Sequence, residues 1–249
     1  EVKESDKYYL DASSSQNDIE DVYFLPAAGV TGKFKIDYTA YSSSNSDLGS
    51  GTITVTIKSK TSSDKFTDVS TKTGFQWAAD SIDFGADNGI IKGATTYTFA
   101  PSQSLTRAQL VTILYRQAGS PAVETKVSAK FSDCEEDSWY APAVVWAAEN
   151  GIVGGYGDGR FGPNDALTRE QLAAILYRYA QYKGYDLSAS ADLSSYSDQA
   201  GISAFARTAM AWANAEGLIT GTSGSLLSPK GTATRAQTAM ILMRFCQKV

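Results

Sequence analysis

Three arginines at corresponding places in this chain have the clearest chemical potential: Arg107, Arg169 and Arg235, each directly after a threonine, Thr106, Thr168 or Thr234. The threonines read as helix N-caps, so each arginine faces the positive end of a helix dipole. That placement costs a few tenths to about 1 kcal/mol when nothing compensates. Three occurrences call for a compensator, and two readings are open. In one, the planar guanidinium and the free N–H groups of the first helical turn hold a carboxylate or phosphate in a bidentate fashion. In the other, the arginine belongs to an internal ion pair, for which Asp68, Asp133 and Asp198, one per repeat, are the candidates.

Aromatic and small residues bear on what such a site would hold. Trp and Tyr faces stack on sugar rings as readily as they fill cores. Trp77 and Trp139, beside polar Gln76 and Ser138, read either as a half-open ligand wall or as core, whereas Phe84, Trp146 and Trp212 read as core. The segment GGYGDGRFGPND, with glycines at 154, 155, 157 and 159, lets backbone approach a ligand closely and is also an ordinary tight loop. Gly93, Gly155 and Gly221 join the candidate binding residues, as do Gln109, Gln171 and Gln237. Asp158 and Asp165 hint at calcium, but their spacing lacks the alternating DxDxDG run of an EF-hand loop, so no metal is expected. Glu135, Glu136 and Asp137 cluster, and Asp80, Asp83 and Asp87 line a helix. A glycoside-cleaving carboxylate pair is disfavoured, since these acids are not repeated and read as a solvated loop and a solvated face.

Composition removes other chemistry. The chain has no histidine, which excludes the Ser/His/Asp triad, the Cys/His pair and His-ligated zinc or iron. Cys134 and Cys246 lie 112 positions apart, so neither a CxxC motif nor a four-ligand zinc site can be built; a disulfide depends on whether the fold brings them together. Twenty-seven acidic against 22 basic residues give a formal charge of −5 with no basic block, which speaks against nucleic acid and anionic membranes. No apolar run reaches the roughly 18 to 20 residues of a membrane-spanning helix. The opening EVKESDKYYLDASSS has no basic-then-apolar signal region, and Glu1 suggests a piece of a longer chain.

The elements that must position these residues are repeated. LTRAQLVTILYR at 105–116, LTREQLAAILYR at 167–178 and ATRAQTAMILMR at 233–244 are copies of one block. Gly89, Gly151 and Gly217 each precede the block's threonine by 17 positions, which fixes the register without gaps. Counting back 12 from those glycines gives Trp77, Trp139 and Phe205, and counting back 5 gives Phe84, Trp146 and Trp212. Rings seven positions apart share a helix face, and the glycine that follows suits a helix C-terminus. In the second helix Leu172, Ile175, Leu176 and Tyr179 form one buried stripe. Thr106 with Gln109, Thr168 with Gln171 and Thr234 with Gln237 form capping boxes. Each repeat therefore reads as helix, loop, helix, over 64–120, 128–184 and 192–249. Residues 1–60 differ: alternating segments predict strands near 33–41 and 51–58, with an earlier one around 21–26 and a linker over 59–65. This is a small β segment, of a kind that forms the tail of an immunoglobulin-like repeat.

The FxD step, the aromatic-bearing helix ending in NGI, the Phe-x-Pro step and LTRAQ or LTREQ leading into an apolar helix resemble the S-layer homology domain, in three tandem copies over roughly 64–249. The resemblance implies a mainly α fold in which three second helices form a central bundle with pseudo-threefold symmetry, the loop-bearing helices radiate as three prongs, and grooves lie between repeats. It also implies an extracellular, non-enzymatic module without cofactor, monomeric, anchoring an exported protein to the bacterial cell wall. The implied partner is a secondary wall polysaccharide whose pyruvate ketal presents a carboxylate. The family's TRAE-type motif falls on Thr106-Arg107-Ala108-Gln109, Thr168-Arg169-Glu170-Gln171 and Thr234-Arg235-Ala236-Gln237, with Gln in place of the final acid. The second repeat matches best; ATTYTFAP and TSGSLLSP replace the Gly-rich loop in the first and third. The expected site combines the arginines and helix-start N–H groups with Trp77 or Trp139 on sugar faces and Asp68, Asp133 or Asp198 on hydroxyls. The alternative is a structural or lattice-forming module whose arginines are internal braces.

Overall fold

The computed structural model describes residues 32–41, 46–57, 61–223 and 225–248. The chain divides into two units, Glu1–Ser59 and Lys60–Val249. In the first, strands β1 (Gly32–Tyr41) and β2 (Asp47–Ile57) form an antiparallel pair with Ile36 opposite Ile53. Asp37 Oδ1 accepts a hydrogen bond from Thr52 Oγ1 across that pair at 2.6 Å. The strand expected around 21–26 lies outside the described residues.

The second unit is helical: α1 (Ala79–Asp87), α2 (Arg107–Gln117), α3 (Ala141–Glu149), α4 (Arg169–Tyr182), α5 (Arg207–Ala215) and α6 (Arg235–Lys248). Local chemistry sets the helix ends. Thr106 Oγ1 accepts from Gln109 N at 3.3 Å while Gln109 Oε1 accepts from Thr106 N at 2.9 Å, and the pairs Thr168/Gln171 and Thr234/Gln237 repeat the exchange. The first helices stop at Gly89, Gly151 and Gly217, whose φ values of 64°, 69° and 65° suit glycine.

Packing runs between repeats. The first helix of each repeat lies on the second helix of the repeat before it: α3 on α2, α5 on α4 and, closing the circle, α1 on α6. The aromatic columns make these seams, with Trp146 5.5 Å from Tyr115 and Trp212 5.4 Å from Tyr177, centroid to centroid. On the pseudo-threefold axis Leu105 N donates to Ala233 O (3.2 Å), Leu167 N to Leu105 O (2.8 Å) and Ala233 N to Leu167 O (2.9 Å). This triangle of buried backbone joins the starts of the three second helices, while farther along them Leu114, Tyr179 and Leu242 line a cavity of about 210 Å³.

Two expectations change. Residues 61–65, expected as linker, pack on the helical unit: Ser63 N donates to Val69 O at 2.8 Å, and Ser62 pairs with Ser70. Asp83, expected on a solvated face, is buried because its carboxylate accepts from Ser63 Oγ and from Asp64 N. It faces inward to receive donors of that packed segment, since a buried carboxylate must be hydrogen-bonded.

Candidate functional site

The three arginines are buried and reach across the seams between repeats. Arg107 Nε donates to Phe161 O, Arg169 Nε to Leu227 O and Arg235 Nε to Phe99 O, each at 2.8 Å. Every acceptor belongs to the loop of the next repeat around the ring. The same loops take the first-turn N–H groups. Arg107 N and Ala108 N donate to Asp165 O and Pro163 O, Arg169 N and Glu170 N to Gly231 O and Pro229 O, and Arg235 N and Ala236 N to Gln103 O and Pro101 O. The helix-start N–H groups expected to be free for an anion are therefore bonded to carbonyls. Those carbonyl dipoles, negative ends toward the helix start, are the compensator that the arginines required.

The aspartates are not the ion-pair partners that one of the two readings gave the arginines. Asp68 accepts from Phe99 N and Ala100 N, Asp133 from Phe161 N and Gly162 N, and Asp198 from Leu227 N and Ser228 N, at 2.7 to 2.9 Å. Each carboxylate clamps the loop turn whose carbonyl receives an arginine from the preceding repeat. The clamp holds an unusual turn: Ala100, Gly162 and Ser228 all have left-handed φ, at 57°, 72° and 53°. Desolvation works against the Asp133 charge, but N–H donation from Phe161 and Gly162 outweighs it and holds this carboxyl below the usual carboxylate range. Burial pulls all three guanidinium pKa values below the ordinary arginine value.

The remaining candidates divide. Thr106, Thr168, Thr234, Gln109, Gln171 and Gln237 are engaged in caps. A Cβ on Gly93 would meet the Phe66 ring at 2.5 Å and one on Gly155 the Phe131 ring at 2.7 Å, so both glycines make room for their own repeat; Gly221 is exposed. Trp77 and Trp139 are 45% and 60% exposed and Phe205 at the same register is 54% exposed, whereas Trp146 and Trp212 are buried in the seams. Cys134 and Cys246 are separate thiols, and burial pushes Cys134 up to about 12. Among the described residues no group of His, Cys, Asp and Glu side chains could hold a metal ion.

Two features escape residue-by-residue reading. Tyr156 lies in the seam between the first two repeats, its ring centroid 4.7 Å from the Arg107 guanidinium carbon and its hydroxyl donating to Asp165 Oδ2 at 2.8 Å. Its signal was the Tyr inside GGYGDGR, a position held by Ala94 and Thr222 in the other repeats. In the next seam Glu170, where the other repeats have Ala108 and Ala236, pairs with Lys230 Nζ at 2.6 Å and accepts from Ser203 N at 2.9 Å.

Comparison with known proteins agrees with this architecture. The S-layer homology domain matches residues 65–111, 130–173 and 195–239. An amylopullulanase of Thermoanaerobacterium thermosulfurigenes is 34% identical over 177 residues, covering 69% of this chain and 9% of that protein. A surface-layer 125 kDa protein of Lysinibacillus sphaericus is 28% identical over 70% of this chain and 14% of its own length. A cellulosome-anchoring protein of Acetivibrio thermocellus is 29% identical over 38% of this chain and 22% of its own length. The chain thus spans 9 to 20% of the length of the first curated relatives it matches.

Proposed function

The chain belongs to the S-layer homology domain family, and from that membership we propose that it holds an exported protein to the bacterial cell wall, non-covalently, by binding a wall polysaccharide in the grooves between repeats. Its role as a cell-surface anchoring module accords with the surface-layer and cellulosome-anchoring relatives. The matched enzymes align with this chain through its S-layer homology repeats, so we assign any catalysis in a longer parent to other parts.

The observation that carries the ligand reading is the set of exposed rings, Trp77, Trp139 and Phe205, which recur at one register of the three repeats. A guanidinium suits a carboxylate substituent such as a pyruvate ketal, and an indole face suits a sugar ring. With a formal charge of −5 the chain gains little from general attraction to an anionic polymer, so recognition depends on local geometry. Calorimetric titration with a pyruvylated amino-sugar wall fragment, beside the same fragment without its ketal, tests this reading. Binding of the first alone is expected; binding of neither overturns it.

A second reading, in which the arginines brace a structural or lattice-forming module, has its own support. Arg169 Nη2 donates to Thr220 O and Arg235 Nη2 to Lys92 O, each at 2.6 Å, so these two side chains are committed to the fold.

A further inference from the structure

The third repeat keeps open a space that the second repeat fills with its own ring. Tyr182 and Lys248 each stand 14 positions after a capping threonine, Thr168 and Thr234. In the second repeat the Tyr182 ring meets Trp146 edge-on, with centroids 5.5 Å apart and planes at 89°. In the third the corresponding indole is Trp212, and Lys248 stands in place of that ring, its ammonium 2.5 Å from Glu216 Oε2. What is left is a cavity of about 260 Å³ lined by Tyr185, Trp212, Leu218 and Phe245, with Glu216 and Lys248 also on its wall.

These walls suit a cation with an apolar body. Trp212, Leu218 and Phe245 are buried, and the rings of Trp212 and Tyr185 stand 6.5 and 6.1 Å from that of Phe245, centroid to centroid. Rings grouped in this way attract an ammonium and remove its alkyl or aryl part from water. The carboxylates of Glu216 and Asp186 add negative charge at the same cavity. So do the carbonyl ends of α5 and α6, which finish at Ala215 and Lys248. The charge at Glu216 is particular to this repeat. Asn88 and Asn150 hold its place in the others and donate to Phe84 O and Trp146 O at 2.9 and 2.8 Å, bonds that a carboxylate cannot make.

We propose that this cavity is a site for a small organic ammonium ion with an apolar body, the ammonium paired to Glu216 and the body lying against Trp212 where the second repeat places Tyr182. Lys248 is the resident cation at Glu216, so an incoming ammonium competes with it. Helix α6 carries Arg235 at its start and this cavity at its end, so the site is separate from the arginine seams and does not depend on the wall-polysaccharide reading.

The test is calorimetric titration of the full chain with phenethylammonium at neutral pH, beside uncharged 2-phenylethanol of similar shape, with thermal melting recorded for each variant. One phenethylammonium per chain is expected, bound roughly fivefold or more tightly than the alcohol. Glu216→Gln should erase that preference. Lys248→Ala should strengthen ammonium binding roughly threefold or more by removing the competitor. Lys248→Tyr rebuilds the ring contact of the second repeat and should abolish binding without lowering the melting temperature. Equal binding of amine and alcohol, a preference that survives Glu216→Gln, undiminished binding by Lys248→Tyr, or no binding by either the unaltered chain or Lys248→Ala overturns the proposal.

Discussion

Arg235 Nε lies 2.8 Å from the carbonyl oxygen of Phe99, a residue 136 positions away, and this bond locks the last repeat onto the first. With Nη2 bonded to Lys92 O as well, one side chain satisfies two carbonyls across the closing seam. Hydrogen bonds from a charged donor contribute about 1.5–3 kcal/mol, and stranding their acceptors adds to the loss. Arg235→Ala is therefore expected to destabilise the helical unit by about 2–4 kcal/mol. Thermal melting followed by circular dichroism should fall by several degrees, and an unchanged midpoint would contradict the brace.

Acid should loosen the Asp133 clamp. Because the folded-state pKa of Asp133 is depressed, its contribution is complete above the unfolded value of about 3.9 and is lost as pH falls through the lower folded value. Asp133→Asn keeps one accepting oxygen and strands either Phe161 N or Gly162 N, costing about 1–3 kcal/mol at neutral pH. Denaturant midpoints measured from pH 7 down to pH 3 should fall less steeply for the variant than for the unaltered chain. Parallel curves would remove Asp133 from the acid response.

The left-handed turn after each clamped residue offers an opposite-signed pair of substitutions. Ala100, at φ 57°, carries a Cβ in a region that disfavours it. Ala100→Gly is expected to stabilise by about 0.5–1 kcal/mol, relief of strain outweighing the added freedom of the unfolded chain. Gly162→Ala introduces that strain at φ 72° and also drives a methyl into Tyr156 and Asp165, so it should destabilise by more than 1 kcal/mol, as judged from strained-backbone costs. Urea unfolding of both variants checks the signs; shifts in the same direction would show that φ does not govern this turn.

Much of this was written locally. Thr106 and Gln109 announce a helix start because their reciprocal bonds span three residues, and Gly89 announces a stop because a left-handed C-terminus favours glycine. The columns through Trp146 and Trp212 marked buried faces, as found. Asp83 reads in the sequence as one more solvated acid, because one helical acid looks like another until the segment that donates to it is packed alongside. The role of Tyr156 is illegible for a related reason: nothing in the letters GYG tells that its ring will meet an arginine 49 positions earlier in sequence.

The sequence alone determined the three helix pairs, their register, the capped starts and the absence of histidine chemistry, since each follows from residue type and short spacing. Only the tertiary structure decided which helix packs on which, and what answers Arg107, Arg169 and Arg235. A seam within a repeat and a seam between repeats need the same apolar stripe, so the stripe cannot choose. The acceptors that answer the arginines are backbone carbonyls, which every residue carries and no residue type advertises; closure of the ring selects Phe161, Leu227 and Phe99.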